Sequence, residues 1–175
     1  TDTADIRQFD ITVDAAASDK VYDATTNATI ALGSSGILAD DTVAFTGTGA
    51  FTDKNAGIGK NVTVDGITAS GADAGNYTFN TTATDTADIT PATLTYHADS
   101  ATFQAGQEIG GLDGTVSGFL GSDTIDDSTS GALVWDTQAT SSSPAGRYAI
   151  QGGGLSAGNY VFEQAPDNAT ALQIE

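Results

Sequence analysis

Apolar and polar residues alternate with a period of two along several short stretches of this chain. Phe9-Asp10-Ile11-Thr12-Val13, Val62-Thr63-Val64-Asp65-Gly66-Ile67 and Leu94-Thr95-Tyr96-His97 show it best. Period two is the mark of a strand with one face buried and one solvated, and no window carries the 3.6-residue period of an amphipathic helix. Turn residues separate the runs at intervals of roughly 8–12 residues, a spacing that predicts a sandwich or barrel of short strands. The 21 glycines against three prolines fit that picture, since tight turns draw on positive φ.

The same pattern occurs twice. Thr1-Asp2-Thr3-Ala4-Asp5-Ile6 returns letter for letter as Thr84-Asp85-Thr86-Ala87-Asp88-Ile89, and Gly75-Asn76-Tyr77-Thr78-Phe79 returns as Gly158-Asn159-Tyr160-Val161-Phe162, both 83 residues later. Leu38-Ala39-Asp40-Asp41-Thr42-Val43 is echoed 82 residues on by Leu120-Gly121-Ser122-Asp123-Thr124-Ile125. Three landmarks in one order at a near-constant offset define a tandem repeat. The expected division is a tail of a preceding repeat at 1–6 and β-sandwich units at 7–89 and 90–175. Thr90-Pro91 is the expected junction, with room for roughly seven strands in each unit.

The two Gly-Asn-Tyr segments resemble the tyrosine corner of immunoglobulin-like sandwiches, in which a Tyr near the start of one strand turns its hydroxyl back onto upstream backbone. Tyr77 and Tyr160 are the structural candidates. Phe79 and Phe162, two residues further on, stand where antibody domains carry a disulfide cysteine. The competing reading is an ordinary Gly-Asn turn followed by an aromatic strand.

The first unit resembles the YDG repeat family. The residues that carry the likeness are Lys20-Val21-Tyr22-Asp23-Ala24, Asp41-Thr42-Val43, Phe51 to Lys60, and Val64-Asp65-Gly66-Ile67 leading to Gly75-Asn76-Tyr77. Ala24 replaces the family's glycine, so that turn need not be left-handed. The second unit is similar to the related MBG, or mostly bacterial Greek key, domains, through Val116-Ser117-Gly118-Phe119-Leu120 and Leu155-Ser156-Ala157-Gly158-Asn159-Tyr160. Its counterpart of the Tyr-Asp stretch is Phe103-Gln104-Ala105-Gly106. The resemblance implies all-β, immunoglobulin-like Greek-key sandwiches arranged end to end. It also implies a place in the stalk of a large adhesin exported by two-partner secretion, at the cell surface or secreted. The implied partners are neighbouring repeats of the same chain, together with a host or matrix receptor engaged by another part of the protein.

Charge and chemistry change this picture little. Twenty-three acidic residues against five cations give a net charge of −18, which repels nucleic acid and anionic lipid. Cysteine is absent, so thiol chemistry and disulfides are excluded, and no apolar run is long enough to span a membrane. His97, the single histidine, falls on the polar side of its strand, with no Gly-x-Ser-x-Gly elbow to accompany it. No catalytic residue or cofactor is expected. Asp85 and Asp88 at the junction are the calcium candidates, with Asp40-Asp41 and Asp126-Asp127 as further hard oxygen donors, although no EF-hand pattern frames any of them. Trp135 with Tyr96 is either sheet packing or an aromatic platform for sugar. Five Asn-x-Thr sequons begin at Asn27, Asn61, Asn76, Asn80 and Asn168.

Overall fold

Alternating Val, Ile, Tyr and Thr positions form strands because β-branched and aromatic side chains pack well on a pleated, half-buried surface. The computed structural model describes residues 4–175; Thr1 to Thr3, the first half of the expected tail at 1–6, lie outside the described residues. The protein is all-β, with one helical turn (α1, Ile125–Ser128) and two short 3-10 segments among the described residues. It divides into two compact units. The first comprises the chain up to Val21 together with Thr25–Thr90, and the second comprises Tyr22–Ala24 with Pro91–Glu175. Among the described residues no helix is long and apolar enough to cross a membrane.

In chain order the first unit contains β1 (Phe9–Asp10), β2 (Asp14–Ala17), β3 (Lys20–Val21), β4 (Asn27–Ala28), β5 (Ile30–Gly33), β6 (Ala44–Phe51), β7 (Gly57–Ser70), β8 (Tyr77–Thr78) and β9 (Ala83–Thr90). Its main sheet runs β3-β9-β7-β6-β4, with β2-β5 and β1-β8 as separate pairs. The second unit contains β10 (Ala92–Ala98), β11 (Ala101–Phe103), β12 (Gly114–Ser117), β13 (Ser130–Asp136), β14 (Gly146–Tyr148), β15 (Gln151–Ser156), β16 (Tyr160–Gln164) and β17 (Leu172–Ile174). These form sheets β12-β10-β16, β11-β17-β14 and β13-β15. The strands outnumber the seven expected per unit because several are only two to four residues long. The opening strand of the first unit, for instance, breaks at Ile11–Val13 into β1 and β2. The pairing is mixed as well, since β1-β8, β3-β9, β10-β16 and β11-β17 run parallel.

Each unit closes around its own core. In the first, Val13, Val64 and Ile67 pack with Leu32, Phe45 and Phe79. Strict alternation from Val62 and Val64 would turn Ile67 outward, yet Ile67 is buried. The reason is a bulge: Thr48 pairs with Asp65 and Thr46 with Thr68, and Gly66 sits between them at φ +65°. The inserted residue shifts the phase by one and returns Ile67 to the core face. In the second unit Ile150, Leu172 and Ile174 form the centre, flanked by Trp135, Phe103 and Tyr148. Tyr96 is buried, stacked on Phe162 at 5.3 Å and edge-on to Trp135 at 5.9 Å.

One asparagine braces the broken backbone in each unit, Asn80 half-buried and Asn168 buried. The Asn80 amide receives Val13 N–H at 2.8 Å and donates to the Val13 carbonyl at 3.0 Å, satisfying the backbone where β1 and β2 break. Asn168 does the same for β10. It takes Ala98 N–H at 2.8 Å, donates to the Tyr96 carbonyl at 2.9 Å, and is only 3% exposed. Backbone groups left unpaired by a broken strand are costly when buried, and one amide side chain supplies both the donor and the acceptor.

Candidate functional site

The two repeated tyrosines stand in matching surroundings. Asp73 precedes a 3-10 turn at Ala74–Asn76, and its carboxylate takes the Thr42 N–H at 2.8 Å, which fixes the approach to β8. Tyr77 follows directly and is buried. Its hydroxyl accepts the Leu38 N–H at 2.9 Å and donates to Asp41 Oδ2 at 2.6 Å. In the second unit the Tyr160 hydroxyl accepts Leu120 N–H at 3.0 Å and donates to Asp123 Oδ2 at 2.8 Å. The upstream backbone that each ring reaches is therefore a tight turn some forty residues away, closed by Asp41 N–H to the Leu38 carbonyl and by Asp123 N–H to the Leu120 carbonyl. In the first of these turns Asp40 adopts φ +75°, a left-handed conformation that Asp tolerates better than most residues.

The second unit's site holds a third residue. Tyr22, 1% exposed, donates its hydroxyl to Asp123 Oδ2 at 2.7 Å and meets the Tyr160 ring edge-on at 5.3 Å. One carboxylate oxygen thus serves two phenols. Two residues on, Ala24 sits at φ +63°, so the turn is left-handed although it carries a side chain. The Cβ of Ala24 approaches Gly121 closely enough that a methyl on Gly121 would stand 2.8 Å from it.

These hydroxyls are poor proton donors and poor bases. Burial pushes the Tyr160 phenol up to about 12, with the Leu120 N–H opposing the shift and the Asp123 carboxylate adding to it. The Tyr77 phenol is also raised, chiefly by its bond to the Asp41 carboxylate and secondly by burial. A proton held this firmly at neutral pH suits a fixed hydrogen bond rather than acid–base catalysis.

Phe79 and Phe162 pack inside separate units. Phe79 meets Phe45 edge-on at 5.4 Å, and Phe162 stacks on Tyr96. The calcium candidates are not brought together. Asp85 and Asp88 are three apart on β9, so they project from opposite faces, and each carboxylate already accepts a backbone N–H. Asp85 takes Ala17 N–H at 2.7 Å, and that bond, with a second from Thr86 N–H, holds its carboxyl below the usual range. Asp88 takes Gly59 N–H at 2.7 Å. Asp41 is bound to Tyr77, while Asp127 in the first turn of α1 exchanges bonds with the N-cap residue Thr124, giving its N–H to the Thr124 hydroxyl and accepting that hydroxyl on Oδ2. Among the described residues no group of three or more Asp, Glu or His side chains is placed to hold a metal ion.

His97 lies on the exposed face of β10, with its Nε2 2.8 Å from Ser117 Oγ. Trp135 is wedged in the second unit between two glycines. A Cβ on Gly114 would come within 2.5 Å of its ring, and one on Gly152 within 2.8 Å. With Tyr96 buried beneath it, the pair forms packing, and no flat aromatic platform faces solvent there.

Asp41, Asp123, Tyr22 and the two leucine amides are the residues that strand patterns did not single out as partners. Their signal was present in the repeat, because Leu38 to Asp41 and Leu120 to Asp123 recur at the same offset as the tyrosines, within one residue.

No curated protein and no solved structure matches the chain. Family models do match, and they fall on the two halves of the repeat in order. Both families are non-catalytic. Residues 7–87 are a YDG domain, and residues 94–170 are an MBG domain of the YGX type.

Proposed function

We propose that the chain is a structural segment from the stalk of a large extracellular adhesin, displayed on the cell or secreted, with no catalytic role of its own. YDG and MBG domains are compatible with adhesin-type repeat modules. The observation that carries the reading is the recurrence of one arrangement, tyrosine hydroxyl to aspartate and to a distant turn amide, in both units. Polar residues that would mark a binding site in another protein are here committed to holding backbone in place. Receptor contact is assigned to another part of the protein, and neighbouring repeats are this segment's own partners.

Thermal unfolding of the whole chain tests this against a calcium- or sugar-binding role. With a net charge of −18, added NaCl should raise the melting temperature modestly. The response should level off at a few hundred millimolar, since the Debye length has by then fallen from about 10 Å at 0.1 M toward about 3 Å at 1 M. Calcium at equal ionic strength should add nothing beyond NaCl, and a glycan array should stay blank. A calcium response reversed by chelator, or saturable binding to a glycan, would replace the spacer reading by a ligand-binding one.

A further inference from the structure

The tyrosine sites of the two units share their frame but differ in what fills them. Leu38 and Asp41 correspond to Leu120 and Asp123, and Asn76-Tyr77 to Asn159-Tyr160. In the second unit the space beside this frame is occupied by Tyr22. In the first unit the Asp41 carboxylate takes the hydroxyl of Tyr77, and beside it lies a groove of about 670 Å³ whose lining includes Arg7, Phe9, Leu38, Asp41, Asn76 and Tyr77. Two of its walls are exposed apolar side chains, Phe9 at 51% and Leu38 at 56%.

We propose that this groove receives the tyrosine of a Tyr-Asp-Ala segment carried by another repeat of the YDG type. The second unit supplies the template. There the same combination of a turn carboxylate, a buried tyrosine ring and a turn leucine holds a phenol, with its hydroxyl on the aspartate and its ring edge-on to the resident tyrosine. Asp41 Oδ2 is placed to serve two phenols as Asp123 Oδ2 does, because a carboxylate oxygen carries more than one acceptor site. Phe9, in register with Tyr77 on β8, stands where the second unit has Ala92 in register with Tyr160. An incoming ring therefore gains a second aromatic wall, of the edge-to-face kind Phe9 already makes with Tyr77 at 6.3 Å. Aromatic walls around a single anionic acceptor select an aromatic side chain bearing a hydroxyl donor. An aliphatic side chain leaves the acceptor unmatched.

The inference deepens the repeat-module reading and rests on it. Its test uses the isotopically labelled full chain, titrated with a capped peptide of the sequence Asp19 to Thr25. Amide resonances of Leu38, Asp41 and Tyr77 should move and saturate at millimolar peptide, the range in which Kd near 1 mM corresponds to about −4 kcal/mol. Those of Leu120, Asp123 and Tyr160 should stay still, because Tyr22 already fills that site at a high effective concentration. In the peptide, Tyr22→Phe should weaken binding about tenfold, the loss expected for one charge-assisted hydrogen bond, and Tyr22→Ala should abolish it. Absence of saturable shifts at the three first-unit amides, or equal shifts with all three peptides, overturns the proposal. Either result leaves the calcium and glycan outcomes, and so the spacer reading, standing on their own.

Discussion

Replacing Tyr160 by Phe removes one oxygen and keeps the ring, so it isolates what the hydroxyl contributes. Two bonds are lost. The donation to Asp123 at 2.8 Å is charge-assisted, and bonds of that kind contribute roughly 1.5–3 kcal/mol net. The Leu120 N–H at 3.0 Å loses its acceptor in a half-buried turn, which adds about 1 kcal/mol. Asp123 keeps the Tyr22 hydroxyl, so the carboxylate is not stranded. The expected destabilisation is therefore about 2.5–4 kcal/mol. For a unit of this size that lowers the melting point by roughly 10–25 °C.

Trp135 is the single tryptophan and lies in the same unit, so its fluorescence during urea or thermal unfolding reports the relevant transition directly. A second readout comes from alkali. The Tyr160 phenol titrates near 12 in the folded protein against about 10 in an unfolded chain. Below pH 10 both states hold the proton and the contribution is complete. Above it the unfolded state ionises first, so stability falls as pH rises from about 10 to about 12. Tyr160→Phe should flatten part of that alkaline limb, leaving the share contributed by Tyr77 and Tyr96, whose phenols are raised as well. A variant whose tryptophan transition moves by less than about 0.5 kcal/mol, within the scatter of ordinary surface substitutions, would refute the structural account of the site.

Further substitutions test separate parts of the fold. Ala24→Gly should stabilise the chain by about 0.5–1 kcal/mol, because relief of the left-handed φ of +63°, worth roughly 1–2 kcal/mol, outweighs glycine's greater freedom when unfolded. Urea denaturation checks it, and a loss of stability would show that the methyl's contacts matter more than its backbone strain. Asn168→Ala should cost about 1–3 kcal/mol, since it leaves Ala98 N–H without its partner inside the second unit and removes one of the two donors to the Tyr96 carbonyl, which keeps the Ala165 N–H. Gly152→Ala should cost about 1–3 kcal/mol by setting a methyl 2.5 Å from the Tyr96 ring, and should shift the Trp135 emission in the folded state. Normal stability and unchanged emission in that variant would mean the rings can move aside freely.

Much of the all-β character is written in short-range sequence. Alternation at Leu94, Tyr96 and His97 gives a strand with two faces, and the burial of the first two with exposure of the third follows from the pleat alone. The repeat offset is equally local to read, and it carries the two tyrosines into matching places. Even the separation of Asp85 from Asp88 was available, because an odd spacing in a strand sends side chains to opposite faces.

Other features depend on residues far apart in the chain. Sequence periodicity cannot say that Tyr77 will find Asp41 and the Leu38 amide, because the choice of partner is made by where a distant turn lands once the sheets have formed. Ile67 reads as facing outward until a bulge at Gly66 resets the phase, and a bulge is defined by its partner strand. Ala24 is a poor residue for a left-handed turn by local propensity, and it adopts one beside buried Tyr22, whose hydroxyl is fixed on Asp123. Local preferences of a few tenths to one kcal/mol set the strands and turns, whereas the buried hydrogen bonds and ring contacts that choose between their arrangements are worth more and exist only when the chain is folded.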